Sequence, residues 1–405
     1  MKIIFIQPKS FHAWEALNFG YMGSYLKKYQ YDKIEFYSGF FDSDDEIVSA
    51  CQNADIVGFS CTSPQMKHAL LLAKRIKTER NLIVFGGVHP TVLPQETLLH
   101  NCIDVVVTGE GEEAMLQVVR GNHKSIVNNP FIENLDLLPF PDRKLIKQER
   151  NIQVAYRDNG YRIASIFATR GCPFDCTFCA SKSLWTRRLR SRSAENIFEE
   201  FKSVVKDLNI DFMKFSDDTF TIDKALVQEF CICKINNNQN TPWGCNIRAD
   251  SVDRETLELM AKAQCREVWI GVESGSPRIL ADMKKNVSLD QIRRCFKMTE
   301  ELGLFRRAYF LLGMPNESYE DIKLTETLID EIGPDAIGFT ILAPYPGSAY
   351  YDPVIHKDVD WSVVDEYTNH LCRTKSLTNT ELRREQKRLV EKYRQRIVFR
   401  QRLIS

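Results

Sequence analysis

TRGCPFDCTFCA, residues 169–180, crowds Cys172, Cys176 and Cys179 into eight residues of a 405-residue chain. A disulfide would use two of these thiols and strand the third. A structural zinc takes four ligands, usually as two separated pairs, and no fourth Cys or His stands close by. Three thiolates in one loop can hold three irons of a cubane cluster and leave the fourth iron open, since such clusters normally take four cysteines. An open iron is a place for a substrate. Gly171 and Pro173 let the loop fold tightly, and Phe178 can cover the cluster or an adjacent adenine.

Outward from this loop the chain alternates strand and helix patterns. Six runs read as strands: RIASIFAT, DFMKFSDD, PWGCNIRA, REVWIGVE, RRAYFLLG and DAIGFTIL, each but the last followed by a helical segment. Six such units over residues 161–350 predict a partial, TIM-like (β/α)6 barrel, whose chemistry collects at the carboxyl ends of its strands. The unusual residues do stand there: the thiols after the first strand, Asp217 and Asp218 after the second, Glu273 and Ser274 after the fourth.

Residues 1–125 show the same alternation on a smaller scale. KIIFIQP, KIEFYSG, DIVGFSC, LIVFGG and DVVVTG read as strands, with FGYMGSYLKKY, DEIVSACQ, QMKHALLLAKRIK and EEAMLQVV as the helices between them. This pattern predicts a Rossmann-like α/β domain with ligands beyond the carboxyl ends of the strands. Prolines and the loss of period mark a linker over 126–160. Residues 351–405 read as a helical cap, with Thr378 or Thr380 as the N-cap of a last helix. Its basic run, Arg383 to Arg402, is broken by glutamates and reads as a solvated helix face.

Lys plus Arg and Asp plus Glu are equal at 54 each, so no global field draws in nucleic acid or an anionic membrane. No apolar run is long enough to span a bilayer, and the short apolar start reads as a first strand, so a cytoplasmic protein without a membrane span is expected. Twelve cysteines in such a chain suggest free thiols and metal ligands, not a disulfide framework.

CPFDCTFC at a barrel mouth resembles the radical S-adenosylmethionine (SAM) superfamily, and the domain ahead of it resembles the cobalamin-binding domain of the members that also carry B12. The resemblance implies a [4Fe-4S] cluster on Cys172, Cys176 and Cys179, whose open iron chelates SAM. It implies SAM contacts from Phe178, Asp217, Asp218, Glu273 and Ser274, with Arg248 of NIRAD pairing with the SAM carboxylate bidentately. GFSCTSP, FGGVHPT and TGEGEEA correspond to cobalamin-contacting stretches, implicating Ser60, Thr62, Gly86, Gly87, His89, Gly109 and Glu110. His89 also reads as a plain turn histidine before Pro90. The DxHxxG loop of domains that ligate cobalt through histidine is replaced by QPKSFHAWE, so His12 is not expected to be a ligand.

The reaction implied is methylation of an unactivated carbon or phosphorus of a small molecule through methylcobalamin and a 5′-deoxyadenosyl radical, fed by an external flavodoxin- or ferredoxin-like donor. Alternatives are a radical cyclase, ring-contracting enzyme or oxidoreductase with the same cofactors, or a cobalamin- or cluster-binding sensor or carrier. A methylthiotransferase would need a second cluster, but Cys51 and Cys102 fall in helix patterns and the tail does not resemble a nucleic-acid-binding β-barrel. Tyr309 and Arg307 share the inward parity of their strand and stand where a substrate could meet them.

Overall fold

The computed structural model describes residues 1–397. Its first sheet has strands β1 Ile3–Gln7, β2 Ile34–Ser38, β3 Ile56–Ser60, β4 Leu82–Gly86, β5 Val105–Thr108 and β6 Ile126–Asn128, all parallel in the order β2-β1-β3-β4-β5-β6. Helices cover both faces, which is why β1 and β3 read as unbroken apolar runs. Phe5, Val84 and Val107 pack on one face; Ile4, Val57, Phe85 and Val106 pack on the other. The chain order reverses between β1 and β3, and the crevice beyond that reversal is where such sheets bind ligands.

The second sheet is also all parallel, in the order β14-β13-β12-β11-β10-β7. Its strands are β7 Ile163–Ile166, β10 Phe212–Phe215, β11 Trp243–Ile247, β12 Cys265–Glu273, β13 Phe305–Leu312 and β14 Ala336–Ile341. Strand order follows chain order, so the sheet is an open, partial βα barrel. Between β7 and β10 lies a two-residue antiparallel ladder, β8 Thr169–Arg170 with β9 Arg190–Ser191, which brackets the cysteine loop.

Two stretches differ from expectation. The 126–160 linker holds β6 and a helix, Glu149–Asn159; three residues are too few for a strand period to show beside prolines. The cap is irregular until its helix, Asn379–Lys392, which starts in a capping box between Thr378 and Glu381. The rest of the basic run, from residue 398, lies outside the described residues.

One barrel residue breaks the apolar rule without forming an ion pair. Lys234 is fully buried, with Nζ 3.9 Å from the centroid of the Phe201 ring and a 3.1 Å hydrogen bond donated to the Thr241 carbonyl. Burial pushes its ammonium pKa down to about 7. Between that value and the ordinary lysine range the unfolded chain holds more protons, so stability rises with pH across that window and the burden is full below it. Lys234→Met is therefore expected to raise stability at pH 7 by roughly 2 kcal/mol, with the gain shrinking toward pH 10. Urea titrations at the two pH values check this, and an equal gain at both contradicts it.

Candidate functional site

The carboxyl ends of β1, β3, β4 and β5 open into a cavity whose far wall is the mouth of the barrel. Gln7, Ser60, Thr62, Gly86 and Gly109 form the near side; Thr169, Arg170, Gly171, Trp185 and Asp218 form the far side. About 1530 Å³ of space, its solvent-filled mouth included, lies between them. Trp14, Trp185, Phe167 and Tyr21 supply apolar wall, and none of the four was among the expected site residues.

A second cavity adjoins the first, with Ser216, Asp217 and Asp218 lining both. All three cysteines of the loop border it. Cys176 is buried; Cys172 and Cys179 are half-buried. The loop is fixed at both ends. Asp217 accepts hydrogen bonds from the Thr169 amide at 2.5 Å and hydroxyl at 2.6 Å, tying β8 to the end of β10. The Thr177 amide donates to the Met283 carbonyl at 3.0 Å, and its hydroxyl meets that of Tyr350 at 2.8 Å. Burial pushes the Cys179 thiol up to about 11 and raises that of Cys172, so without a metal both are protonated. Among the described residues no three His, Cys, Asp or Glu side chains converge as ligands of one ion. Three thiols bordering one cavity suit a polynuclear cluster, in which each sulfur meets its own iron.

The remaining expected residues divide. Asp218 is exposed to the cavity and accepts from the Ser181 hydroxyl at 2.5 Å. Phe178 borders the cavity and packs on the barrel core. Glu273 borders it too, paired at 2.8 Å with Lys285, a buried partner that sequence reading missed. Glu273 also adopts a left-handed φ of 67°, an uncommon state for a non-glycine that is often found at binding sites. Tyr309 reaches the same cavity, whereas Arg307 is held by Glu267.

Other expectations need correction. Asp217 takes the Thr169 amide and hydroxyl and the Ala168 amide on Oδ1, with the Ala168 amide also 3.3 Å from Oδ2, so it holds the loop in place; burial raises its pKa to about 6. Ser274 is fully buried and turned toward Thr325, 3.3 Å away under the helix Tyr319–Ile332. Arg248 directs its fork at Asp250, with two 3.0 Å bonds, and at the Lys285 carbonyl at 2.7 Å, while its guanidinium lies 3.5 Å from the Phe174 ring centroid. Only Nη1, 4.0 Å from Cys176 Sγ, faces the thiols, so bidentate pairing with a ligand carboxylate is not available.

In the first domain Ser60 and Thr62 line the large cavity, and Thr62 also closes a capping box with Gln65. Gly87 borders it as well, but its left-handed φ of 95° and a Cβ position 2.7 Å from the Cys61 nitrogen show that neighbouring backbone demands the glycine. Gly86 has ordinary space at its Cβ position, 3.6 Å from Val107. His89 is buried, bonded at 2.9 Å to the Ser63 hydroxyl, with its pKa pushed down to about 4 by burial; it is a core residue and lies off the cavity. Glu110 borders the cavity, but its carboxylate is held by Arg170, Arg190 and the Ile132 amide. Cys51, Cys61 and Cys102 are buried in the first domain's core, with thiol pKa values raised by burial.

A Rossmann-like domain whose strand ends face the mouth of a partial barrel, with a three-thiol loop at that mouth, defines a cobalamin-binding radical SAM enzyme. Comparison with known proteins agrees: residues 166–329 match the radical SAM superfamily and residues 9–119 match the B12 binding domain. The chain belongs to the radical SAM enzymes that carry a B12-binding domain, with a [4Fe-4S] cluster, SAM and cobalamin as cofactors. It is 29% identical over 323 residues to an uncharacterised methyltransferase, PH0819, of Pyrococcus horikoshii, covering 74% of this chain and 69% of that protein. It is 27% identical to the anaerobic magnesium-protoporphyrin IX monomethyl ester cyclase of Rubrivivax gelatinosus, over 86% of this chain and 69% of the cyclase. Its fold matches the radical SAM methyltransferase TsrM of Kitasatospora setae, solved with cobalamin and a [4Fe-4S] cluster, at a TM-score of 0.71 and 15% identity, over 86% of this chain and 74% of TsrM. Among the described residues no helix is long and apolar enough to cross a membrane.

Proposed function

We propose that the protein methylates an unactivated carbon or phosphorus of a small molecule held where the two cavities meet. The observation that carries this reading is their adjacency: Ser216, Asp217 and Asp218 line both the wide cavity over the first sheet and the thiol-bordered cavity of the barrel. A molecule seated there faces both sides at once, and such placement supplies much of the rate. In this reading Cys172, Cys176 and Cys179 hold the cluster. Asp218 and Glu273 contact SAM, with Phe178 against its rings, and Lys285 fixes the Glu273 carboxylate. Ser60, Thr62, Gly86 and Gly109 lie against the corrin and its nucleotide tail. When bound, the cluster supplies the electron that cleaves SAM to a carbon radical, and cobalamin supplies the methyl group. A flavodoxin- or ferredoxin-like donor provides the electrons.

Anaerobic turnover assayed for both S-adenosylhomocysteine and 5′-deoxyadenosine tests this. Both are expected; 5′-deoxyadenosine alone sinks net methyl transfer and favours the cyclase-type reaction, a second reading supported by the similarity to the magnesium-protoporphyrin cyclase.

The assignments within the SAM site can be separated. Glu273→Gln, which weakens the pairing with Lys285, is expected to loosen SAM binding about tenfold, or about 1.4 kcal/mol, whereas Ser274→Ala leaves it unchanged. Anaerobic calorimetric titration of SAM decides, and the reverse ranking restores Ser274 as a ligand.

A further inference from the structure

The first and second domains meet through a buried group of four charges. Glu110, at the end of β5, accepts from Arg170 Nη1 at 2.7 Å and from Arg190 Nη1 at 3.0 and 2.9 Å, and its second oxygen also takes the Ile132 amide at 2.6 Å. Arg170 Nη2 reaches Glu112 at 2.6 Å. The two arginines are paired across the β8–β9 ladder, in register with one another. Aromatic faces close the sides: Tyr21 lies 5.4 Å from Arg170, and Phe131 lies 4.7 Å from Arg190. All four charged side chains are at most 14% exposed.

The placement of these residues matters more than their number. Gly109, Glu110 and Gly111 belong to the near wall of the large cavity, and Arg170 and Gly171 to its far wall, with Cys172 the next residue. One carboxylate therefore ties the loop that lies against one cavity wall to the strand that launches the cysteine loop on the other. Buried pairs of this kind contribute little net stability against an apolar isostere, but they fix register, and breaking one side leaves an uncompensated charge. Among the described residues Arg190 Nε and Nη2 have no hydrogen-bond partner, and the guanidinium lies against the Phe131 and Trp185 rings.

We propose that Glu110 is a positioning residue: through Arg170 and Arg190 it sets the separation and angle between the corrin-facing wall and the cysteine loop, and so couples SAM cleavage to methyl transfer. This rests on the methyl-transfer reading above and extends it, because it assigns to the glutamate of the TGEGEEA stretch a role toward the barrel and not toward cobalamin.

The test uses Glu110→Gln and the double variant Glu110→Gln/Arg190→Gln, which keeps the group electrically neutral and so guards against simple loss of the fold. In both, cluster iron and cobalamin content of the full chain are expected to stay at wild-type levels and 5′-deoxyadenosine to form, while methylated product per deoxyadenosine falls roughly 100-fold, as displacement by about an ångström can cause. Hydrogen exchange on the cofactor-free chain gives a readout independent of activity: segments 105–112 and 169–179 should lose protection together, with the helix Asn379–Lys392 unchanged. Wild-type product ratio and wild-type protection in the double variant overturn the proposal, as does loss of cobalamin alone, which makes Glu110 a corrin ligand. If the wild-type protein forms no methylated product, the functional reading fails instead, and the exchange result still decides whether the tie exists.

Discussion

Cys176→Ala is expected to yield a folded protein that has lost its cluster, cleaves no SAM and makes no product. The argument starts from stoichiometry. Three thiolates for three irons leave no spare ligand, and the nearby polar groups are committed: Asp217 to Thr169, and Arg248 to Asp250 and the Lys285 carbonyl. The loss should exceed the roughly 10–100-fold that follows removal of an outer-shell partner of a metal. The fold should survive, because replacing one buried thiol by a methyl group costs on the order of 1 kcal/mol and the loop keeps its ties at Thr169 and Thr177. The first domain should still take up cobalamin, since none of the three loop cysteines lines its cavity. Iron analysis, the visible absorption of the cluster and a 5′-deoxyadenosine assay on anaerobically prepared protein check each part. Wild-type iron content in this variant would falsify the cluster assignment.

Much of this architecture was legible in the chain. Buried parallel strands write themselves as apolar runs such as IIFI and VVVT, and the barrel's strand ends carry polar residues that packing alone does not require. The cysteine spacing is local, so it needs no tertiary knowledge. What failed was the assignment of side chains whose partners lie far along the chain. Ser274 is drawn inward by Thr325, 51 positions on, and Glu110 is captured by Arg190, 80 positions on. Nothing near either residue signals that its polar atoms are already engaged. His89 was ambiguous for the same reason: a histidine before a proline looks like a loop, and only its contact with Ser63 shows it to be core. Lys285 lies in a short segment between two helices, Pro277–Asp282 and Leu289–Glu301, where lysine is the most ordinary of residues; its burial against Glu273 is what marks it.

The loop's second vulnerable point is a glycine. Gly171 has a left-handed φ of 101°, and a Cβ there would fall inside the contact distance of the Arg188 carbonyl, with Leu189 Cα 3.6 Å away. Both obstacles are backbone or next to it, so neither can rotate aside as a side-chain tip could. Nor can the segment shift easily, because Asp217 holds Thr169 on one side and Glu110 holds Arg190 on the other. Gly171→Ala therefore combines the roughly 1–2 kcal/mol of a left-handed alanine with a clash the structure cannot relax, for a total expected near 4 kcal/mol, in the range of exceptional single substitutions. The strain falls on the residue before Cys172, so cluster incorporation should drop with it. Gly121→Ala provides the comparison: that glycine has φ of 71° but nothing within 4 Å of its Cβ position, so it isolates the conformational term. Denaturant melts and iron content of the two variants separate the contributions. If Gly171→Ala is no less stable than Gly121→Ala and carries as much iron, the loop is looser than its hydrogen bonds imply, and the thiols must be gathered by the cluster itself and not by the fold.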